Sequence, residues 1–502
     1  MTARDDLPNL ASERLGAVAL WASDEFFAER ENLLRDHPAE WREHAYTDRG
    51  KWMDGWESRR KRAIGPDVHD DAIVRLALAG VVREVVVDTS HFRGNFPESM
   101  RLDGTTAREG TSVAQLLSDA TDWIEMVGRS TLRGNDQNVF GVESPIAFTH
   151  VRLRIFPDGG VARLRVHGEP APDWRRLGGV ATTIDLAALE SGGAVLSCSD
   201  MFFGPKHNLI QPGRARNMSD GWETKRRRGV TSETHDWVLL RLAGQGMLDR
   251  LELDTAFFLG NFPDTALVEG CDGDPASAEF RPVLARTKLM GHTRHFFAEE
   301  LLDRGPFTHL RMRVFPDGGV SRLRAWGKLA ESARADAAAR FLGCSSPLEL
   351  EARLRTCCAT KRFVSALVSE RPFEDGERLF ARTDALISAF SEAELFEAMA
   401  AHPRIGDRHQ GNTHEARMSH AEQARAQVAS DAVKSALAEA NRAYEEKFGF
   451  VFLIFATGKS AEEILAQARQ RLQNAREVEL RNAAEQLRQI VRLRLLKLVG
   501  GA

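Results

Sequence analysis

The chain has 502 residues, enough for about three domains at roughly 150 residues each. Its 68 Lys and Arg nearly balance 72 Asp and Glu, for a formal net charge of −4. That balance excludes a generally basic nucleic-acid binder and an acidic disordered chain. The longest clean apolar stretch, Phe448 to Ala456, is far short of the roughly 20 residues of a membrane helix. Five cysteines without CxxC spacing argue against a disulfide framework and a thiolate zinc site. The opening MTARDDLPNL lacks the apolar core of a signal peptide, so a cytoplasmic location is expected, with neither nucleic acid nor membrane as partner. All nine Trp lie before residue 340, the first sign of two unlike parts.

An internal repeat organises the first two thirds. In chain order, copy one carries Phe26-Phe27, DGWESRRKR (Asp54 to Arg62), DTSHFRGNFP (Asp88 to Pro97) and HVRLRIFPDGGVARLRVHG (His150 to Gly168). Copy two carries Phe202-Phe203, DGWETKRRR (Asp220 to Arg228), DTAFFLGNFP (Asp254 to Pro263) and HLRMRVFPDGGVSRLRAWG (His309 to Gly327). The last pair is identical at 13 of 19 positions, so residues 15–170 and 190–335 read as two copies of one domain. Val151, Leu153 and Ile155 alternate with Arg152 and Arg154, the period-2 signature of a half-buried strand. Leu164 and Val166 alternate likewise beyond PDGG, a turn string whose glycine accepts positive φ. The pattern predicts a β-hairpin with one apolar and one arginine face. REVVVDT and DRLELDT read as further strands. Short strands without βαβ alternation favour a jelly-roll sandwich. The Pro/Gly-bounded stretch 171–193 is expected to pack, and residues 328–347 to form a short helix ending at Gly343.

From about residue 345 the pattern turns helical and Ala-rich, predicting an all-α domain over 345–502. Four S-x-x-E strings fit capping boxes: Ser346–Glu349, Ser391–Glu394, Ser419–Glu422 and Ser460–Glu463. Leu487, Ile490, Val491, Leu495 and Leu498 recur at helical spacing. His402 stands beside the helix-ending Pro403. A His and a Glu make a proton-transfer pair, and a terminal-helix Arg a carboxylate clamp. A helix-end His also simply complements the dipole, and Ser419 with Glu422 is explained by capping alone.

AHPRIGD (Ala401 to Asp407), S-x-x-E-Q (Ser419 to Gln423), KFGF-x-F (Lys447 to Phe452) with GKS after it, and RLRL near the end resemble 2-oxo-4-hydroxy-4-carboxy-5-ureidoimidazoline (OHCU) decarboxylase. The resemblance covers roughly 345–500. It implies an all-helical, cofactor-free enzyme that makes S-allantoin. By residue matching His402 and Glu422 form the catalytic pair, and Ser419 and Gln423 line the substrate. The backbone from Phe450 to Leu453 hydrogen-bonds the ring or ureide, and Arg494 binds an anionic group, with Arg492 the neighbouring alternative.

The repeated strings KWMDGWESRR, HFRGNFP and H-x-R-x-R-x-F-PDGG-x-x-RLR resemble allantoicase, over about 15–335. That family is built of two tandem all-β jelly rolls similar to galactose-binding modules, and splits allantoate into ureidoglycolate and urea. Both resemblances fall in urate breakdown, implying a bifunctional enzyme of small-molecule substrates, OHCU and allantoate, expected as a homo-oligomer. Allantoate calls for Arg donors, an acid and Asn-type partners. Asp54, Glu57, Arg60 and Asn95 supply these in copy one; Asp220, Glu223, Arg226 and Asn261 match them in copy two. Presence in both copies fits two sites, or a fold that needs these residues: GNFP as a turn, DGW as a turn plus core Trp. His91 and Arg93 become Phe257 and Leu259 in copy two, while Asn135 and Asn138 become His292 and His295. His292, His295 and His309 are candidates to hold a divalent ion for the allantoicase, against ordinary surface or core roles. A second reading keeps the decarboxylase and takes the jelly rolls as a non-catalytic ligand-binding module.

Overall fold

The computed structural model describes residues 7–108, 110–400 and 431–500. The chain forms two units, one of Met1–Leu177 and Thr182–Ala333, the other of Gly178–Ala181 and Arg334–Ala502.

In the first unit, each copy is organised by one 19-residue strand. In copy one this is Asp70–Asp88. Its first part pairs with Val18–Ala22 on one side and Ala147–Phe156 on the other. Its second part pairs with Arg163–Pro170 and Gln137–Gly141. The register slips between Arg75 and Gly80, where the strand leaves one layer of the sandwich for the other. Ser99–Thr105 and Ile124–Thr131 extend the first layer. Copy two repeats the arrangement around Asp236–Asp254, flanked by Ala194–Cys198 and Phe307–Phe315, then by Arg322–Leu329 and Arg294–Phe297.

The expected hairpin over 150–168 is a correction. Ala147–Phe156 and Arg163–Pro170 are not partners; they pair with different parts of the same long strand. The turn between them crosses from layer to layer because Gly160–Val161 pairs instead with Trp56–Glu57. Gly319–Val320 pairs with Trp222–Glu223 in the same way. The turn glycines behave as the string required, with Gly159 at φ 131° and Gly318 at φ 132°. The glycine after each is needed for a different reason. A Cβ on Gly160 would lie 1.9 Å from the Phe92 ring, and one on Gly319 2.0 Å from the Phe258 ring.

Strand alternation fills both cores with aliphatics around one Trp each. Trp56 and Trp222 are fully buried, and their indole N–H groups donate to the carbonyls of Asp24 and Asp200 at 2.8 Å each. The arginine face is paired rather than bare: Arg152 donates to Asp103 and Arg154 to Asp71, both at 2.9 Å. The stretch after copy one does pack, with Ile184–Asp185 pairing as a strand with Trp326 and Gly327.

The second unit is helical. A helix runs over Glu331–Gly343, ending at the expected glycine. Pro347–Cys357, Lys361–Ser369, Gly376–Ser388, Glu392–Ala400, Asp431–Phe448, Ala461–Arg471 and Arg476–Lys497 follow. Ser346 caps its helix by accepting from the Glu349 amide at 3.4 Å. Ser391 and Ser460 close full capping boxes, donating their amides to Glu394 and Glu463 at 2.8 and 2.7 Å. The Ser419–Glu422 box lies outside the described residues. Leu487, Ile490, Val491, Leu495 and Leu498 are all buried, and pack with Leu350, Leu354 and Phe363. Among the described residues no helix is long and apolar enough to cross a membrane.

Candidate functional site

In both copies three separate repeated strings converge. The short strand Trp222–Glu223 is pinned to Gly319–Val320, the end of PDGG-V. The Asn261 carbonyl, in GNFP, accepts from the Gly319 amide at 2.8 Å. Its side-chain amide donates to Glu223 Oε1 at 2.6 Å. Copy one repeats each contact: Gly160 amide to Asn95 carbonyl at 2.7 Å, and Asn95 Nδ2 to Glu57 Oε1 at 2.8 Å. So the fold brings Glu57 together with Asn95, and Glu223 with Asn261.

Around the copy-two pair lies a cavity of about 610 Å³, lined by Phe203, Glu223, Arg226, Arg227, Asn261, Asp264 and Asp317 among others. The two arginines differ. Arg227 is tied to Asp236, with Nε at 3.1 Å, and its amide donates to Asp317. Arg226 is exposed and makes no ion pair among the described residues, which leaves its guanidinium fork for a ligand. Arg60, its counterpart, is likewise exposed.

The copies differ around the glutamate. Between Leu33 and Asp54 copy one has ten more residues than copy two has between Leu209 and Asp220. These form a small turn, Tyr46–Thr47 pairing with Gly50–Lys51, whose Arg49 donates to the Phe26 carbonyl at 2.8 Å. Gly50 sits against Phe27, the counterpart of the cavity's Phe203. Glu57 is buried and Glu223 half-buried. Burial pushes the Glu57 carboxyl up from the usual range, with the Asn95 hydrogen bond opposing it.

Asp54 and Asp220 stand apart from this chemistry. Asp54 is buried against Arg163 Nη2 at 2.6 Å, Arg35 at 3.2 Å and the Glu40 amide at 2.8 Å. Burial works against its charge, but Arg163 and the Glu40 amide hold its carboxyl below the usual carboxylate range. Arg163, fully buried, also reaches the carbonyls of Asn32, His37 and Asp54 itself. Each aspartate therefore anchors the turn that presents the glutamate three residues on.

The histidines do not form a metal set. His292 Nδ1 accepts from the Phe257 amide at 2.8 Å, the role of Asn135 Oδ1 toward the His91 amide in copy one. His295 has both ring nitrogens engaged, Nε2 by the Met290 amide and Nδ1 at the Leu253 carbonyl. It replaces Asn138, which donates to the Val87 carbonyl. His309 Nδ1 lies 3.0 Å from Thr308 Oγ1, and burial lowers its pKa. His91 contacts the Ala39 carbonyl through Nε2 and lies beside Trp41, within copy one's extra segment. Among the described residues no three His, Cys, Asp or Glu are grouped to hold a metal ion. The Asn-to-His exchanges between copies are exchanges of turn-holding hydrogen bonds.

In the helical unit His402, Ser419, Glu422 and Gln423 lie outside the described residues. Phe450 and Leu453 are buried. The Leu453 carbonyl accepts from Arg471 Nη1 at 2.8 Å, and the Phe455 amide donates to Gln486. Arg471 Nε in turn donates to Glu479 at 2.8 Å, which also accepts from Tyr444, Asn474 and Asn482. Burial opposes the Glu479 charge, but these hydrogen bonds keep its carboxyl below the usual range. This buried network holds the non-helical stretch 451–455 at the Leu453 carbonyl, and nothing in the spacing of its members marks it. Arg494 is buried, with Nη1 3.5 Å from the Thr356 carbonyl, whereas Arg492 is exposed and paired with Asp384.

The allantoicase repeat model matches residues 8–171 and 184–330. The chain belongs to the allantoicase family. A probable allantoicase of Photobacterium profundum is 44% identical over 331 residues, covering 64% of this chain and 97% of that one. A probable allantoicase 2 of Burkholderia pseudomallei is 46% identical over 330 residues, with 64% and 95% covered. The crystal structure of allantoicase from Saccharomyces cerevisiae is 30% identical, with a TM-score of 0.54 over 64% of this chain and 92% of that one. Residues 345–496 match the OHCU decarboxylase model. The chain is thus a bifunctional enzyme of urate degradation, an allantoicase joined to an OHCU decarboxylase, and the reading of the jelly rolls as a mere binding module falls away.

Proposed function

We propose that the allantoicase reaction is carried out in copy two, at the cavity holding Glu223, Arg226 and Asn261. The observation that carries this reading is the Arg226 guanidinium, without an ion-pair partner among the described residues, lining the same cavity as the Asn-held glutamate. Arg226 takes the allantoate carboxylate as a bidentate partner. Asn261 engages one oxygen of Glu223 and leaves the other to act on water. The Glu223 carboxylate draws a proton from the attacking water as its oxygen bonds the central carbon. The carbon–nitrogen bond breaks with its electron pair on the ureido nitrogen, which receives that proton, so urea departs neutral and ureidoglycolate remains. The step as written uses only these side chains; His292 and His295 hold turns, and His309 Nδ1 lies against Thr308 Oγ1 in its strand. Urea release by the full chain checks the assignment. Glu223→Gln is expected to lower kcat by about 10²–10⁴, and Glu57→Gln to leave it within about twofold. Full activity in Glu223→Gln sinks the assignment.

For the helical unit, taken as residues 345–502, we propose the His402–Glu422 pair as the proton-transfer groups and Arg494, rather than the Asp384-paired Arg492, as the anion clamp. Carbon dioxide loss beside a C=N leaves charge that the ring itself delocalises, and a protonated group then delivers one proton to one face. His402→Asn is expected to abolish stereoselective S-allantoin formation, read by circular dichroism. The repeat boundaries proposed are 15–170 and 190–335. Five free cysteines support a reducing, cytoplasmic setting. Exposed Leu259 and Met290 in copy two support assembly as a homo-oligomer.

A further inference from the structure

Each DGWE turn has one buried arginine on its backbone, since Arg322 donates to the Asp220 carbonyl at 2.7 Å as its counterpart Arg163 does to the Asp54 carbonyl at 3.1 Å. Their carboxylates are paired by different arginines, one of which crosses between copies. In copy one the Asp54 carboxylate is clamped by Arg163 and Arg35, both of its own copy. In copy two the residue in register with Arg35 is Gln211, which donates to Asn208 Oδ1 at 3.0 Å and makes no ion pair. The missing cation is supplied by Arg14, from the short helical turn Glu13–Leu15 within the first matched repeat, residues 8–171. Its Nη2 lies 2.7 Å from Asp220 Oδ1 and 3.3 Å from Asn208 Oδ1. The other oxygen of Asp220 accepts from the Arg216 amide at 2.8 Å and more distantly from its Nε at 3.4 Å. Asn208 is itself buried and donates to the carbonyls of Ser219 and Gly221, the two residues that flank Asp220. The reverse crossing is not made. The residue of copy two in register with Arg14 is Glu190, which cannot serve an aspartate.

We propose that Arg14 of copy one is a positioning residue for the allantoicase site of copy two, holding the Asp220 turn so that Glu223 meets Asn261 and the cavity in register. The inference rests on the assignment of the reaction to copy two. Arg14 touches no substrate; it acts through Asp220, three residues before Glu223 on the same turn. A slight displacement of a base from its reacting atom costs rate more than binding.

The test uses the full chain, with urea release from allantoate measured beside decarboxylation by the same molecules. Arg14→Gln is expected to lower allantoicase kcat about tenfold, with KM within about twofold and decarboxylation unchanged. Adding Gln211→Arg restores the clamp as copy one builds it, and is expected to recover most of the lost kcat. Arg14→Lys, which keeps the charge, serves if Arg14→Gln folds poorly, and is expected to retain at least half of the wild-type kcat. A normal kcat in Arg14→Gln, or a loss that Gln211→Arg does not repair, overturns the proposal while Glu223→Gln remains inactive. If Glu223→Gln is itself active, the assignment of the reaction to copy two fails, and the role of Arg14 fails with it.

Discussion

Copy one and copy two share a backbone to the level of single glycines, yet surround the same Glu–Asn pair differently. Copy one buries its glutamate beside ten extra residues and seals the supporting aspartate with a fully buried arginine. Copy two leaves its glutamate half-buried in a cavity beside Arg226, which makes no ion pair among the described residues; its aspartate carboxylate pairs with Arg14 and the exposed Arg216, while the buried Arg322 holds only the carbonyl. The Glu–Asn hydrogen bond is therefore a property of the fold. What differs, and what a substrate would feel, is the room and charge around it.

That comparison can be broken by substitution. The largest effect is expected on stability at the buried clamp. Asp54→Ala leaves Arg163 charged without its carboxylate, and should cost about 3–5 kcal/mol in denaturant unfolding. Asp220→Ala, whose partners reach water, should cost about 1–2 kcal/mol. Equal losses would mean that the two turns are held alike. Next comes the anchor. Arg226→Lys gives up the bidentate fork and is expected to raise KM for allantoate about tenfold with little change in kcat. Arg60→Lys should do neither, and a matching rise there would make copy one a substrate site as well. The smallest effect concerns Glu57. Its carboxyl is raised by burial, so its contribution to stability is full below the ordinary glutamate range and is lost as pH rises through the folded value. Glu57→Gln escapes that loss. Thermal melting should show the variant gaining a few degrees over wild type at pH 8, with the gap closing toward pH 4. A gap independent of pH would assign the difference to packing.

Much of this was legible in the sequence because the repeat marks places where the backbone has no freedom. Gly160 and Gly319 survive in both copies because a Phe ring occupies the space of a side chain. Period-2 alternation located the strands correctly, but it carries no information on partners, so two strands joined by PDGG read as a hairpin when each belongs to a different layer. Glu57, Asn95, Glu223 and Asn261 stand out in the sequence by residue type alone, and their convergence depends on the pairing of Gly319 with Glu223, and of Gly160 with Glu57, which only the fold supplies. The histidine exchanges read as a change of chemistry, whereas His292 and His295 reproduce the hydrogen bonds of Asn135 and Asn138. Arg14 could not be found from the string containing Asp220, since the two are some two hundred residues apart and its register partner, Glu190, bears the opposite charge.

The long strands Asp70–Asp88 and Asp236–Asp254 carry a last consequence. Each is a member of both layers of its sandwich, so neither layer can be peeled away while the other keeps its hydrogen bonds. The layers of a copy open as one cooperative unit. The short strands that bear Glu57 and Glu223 are tied to the crossing turns between those layers, and so they share in the opening free energy of the whole copy rather than that of a surface loop.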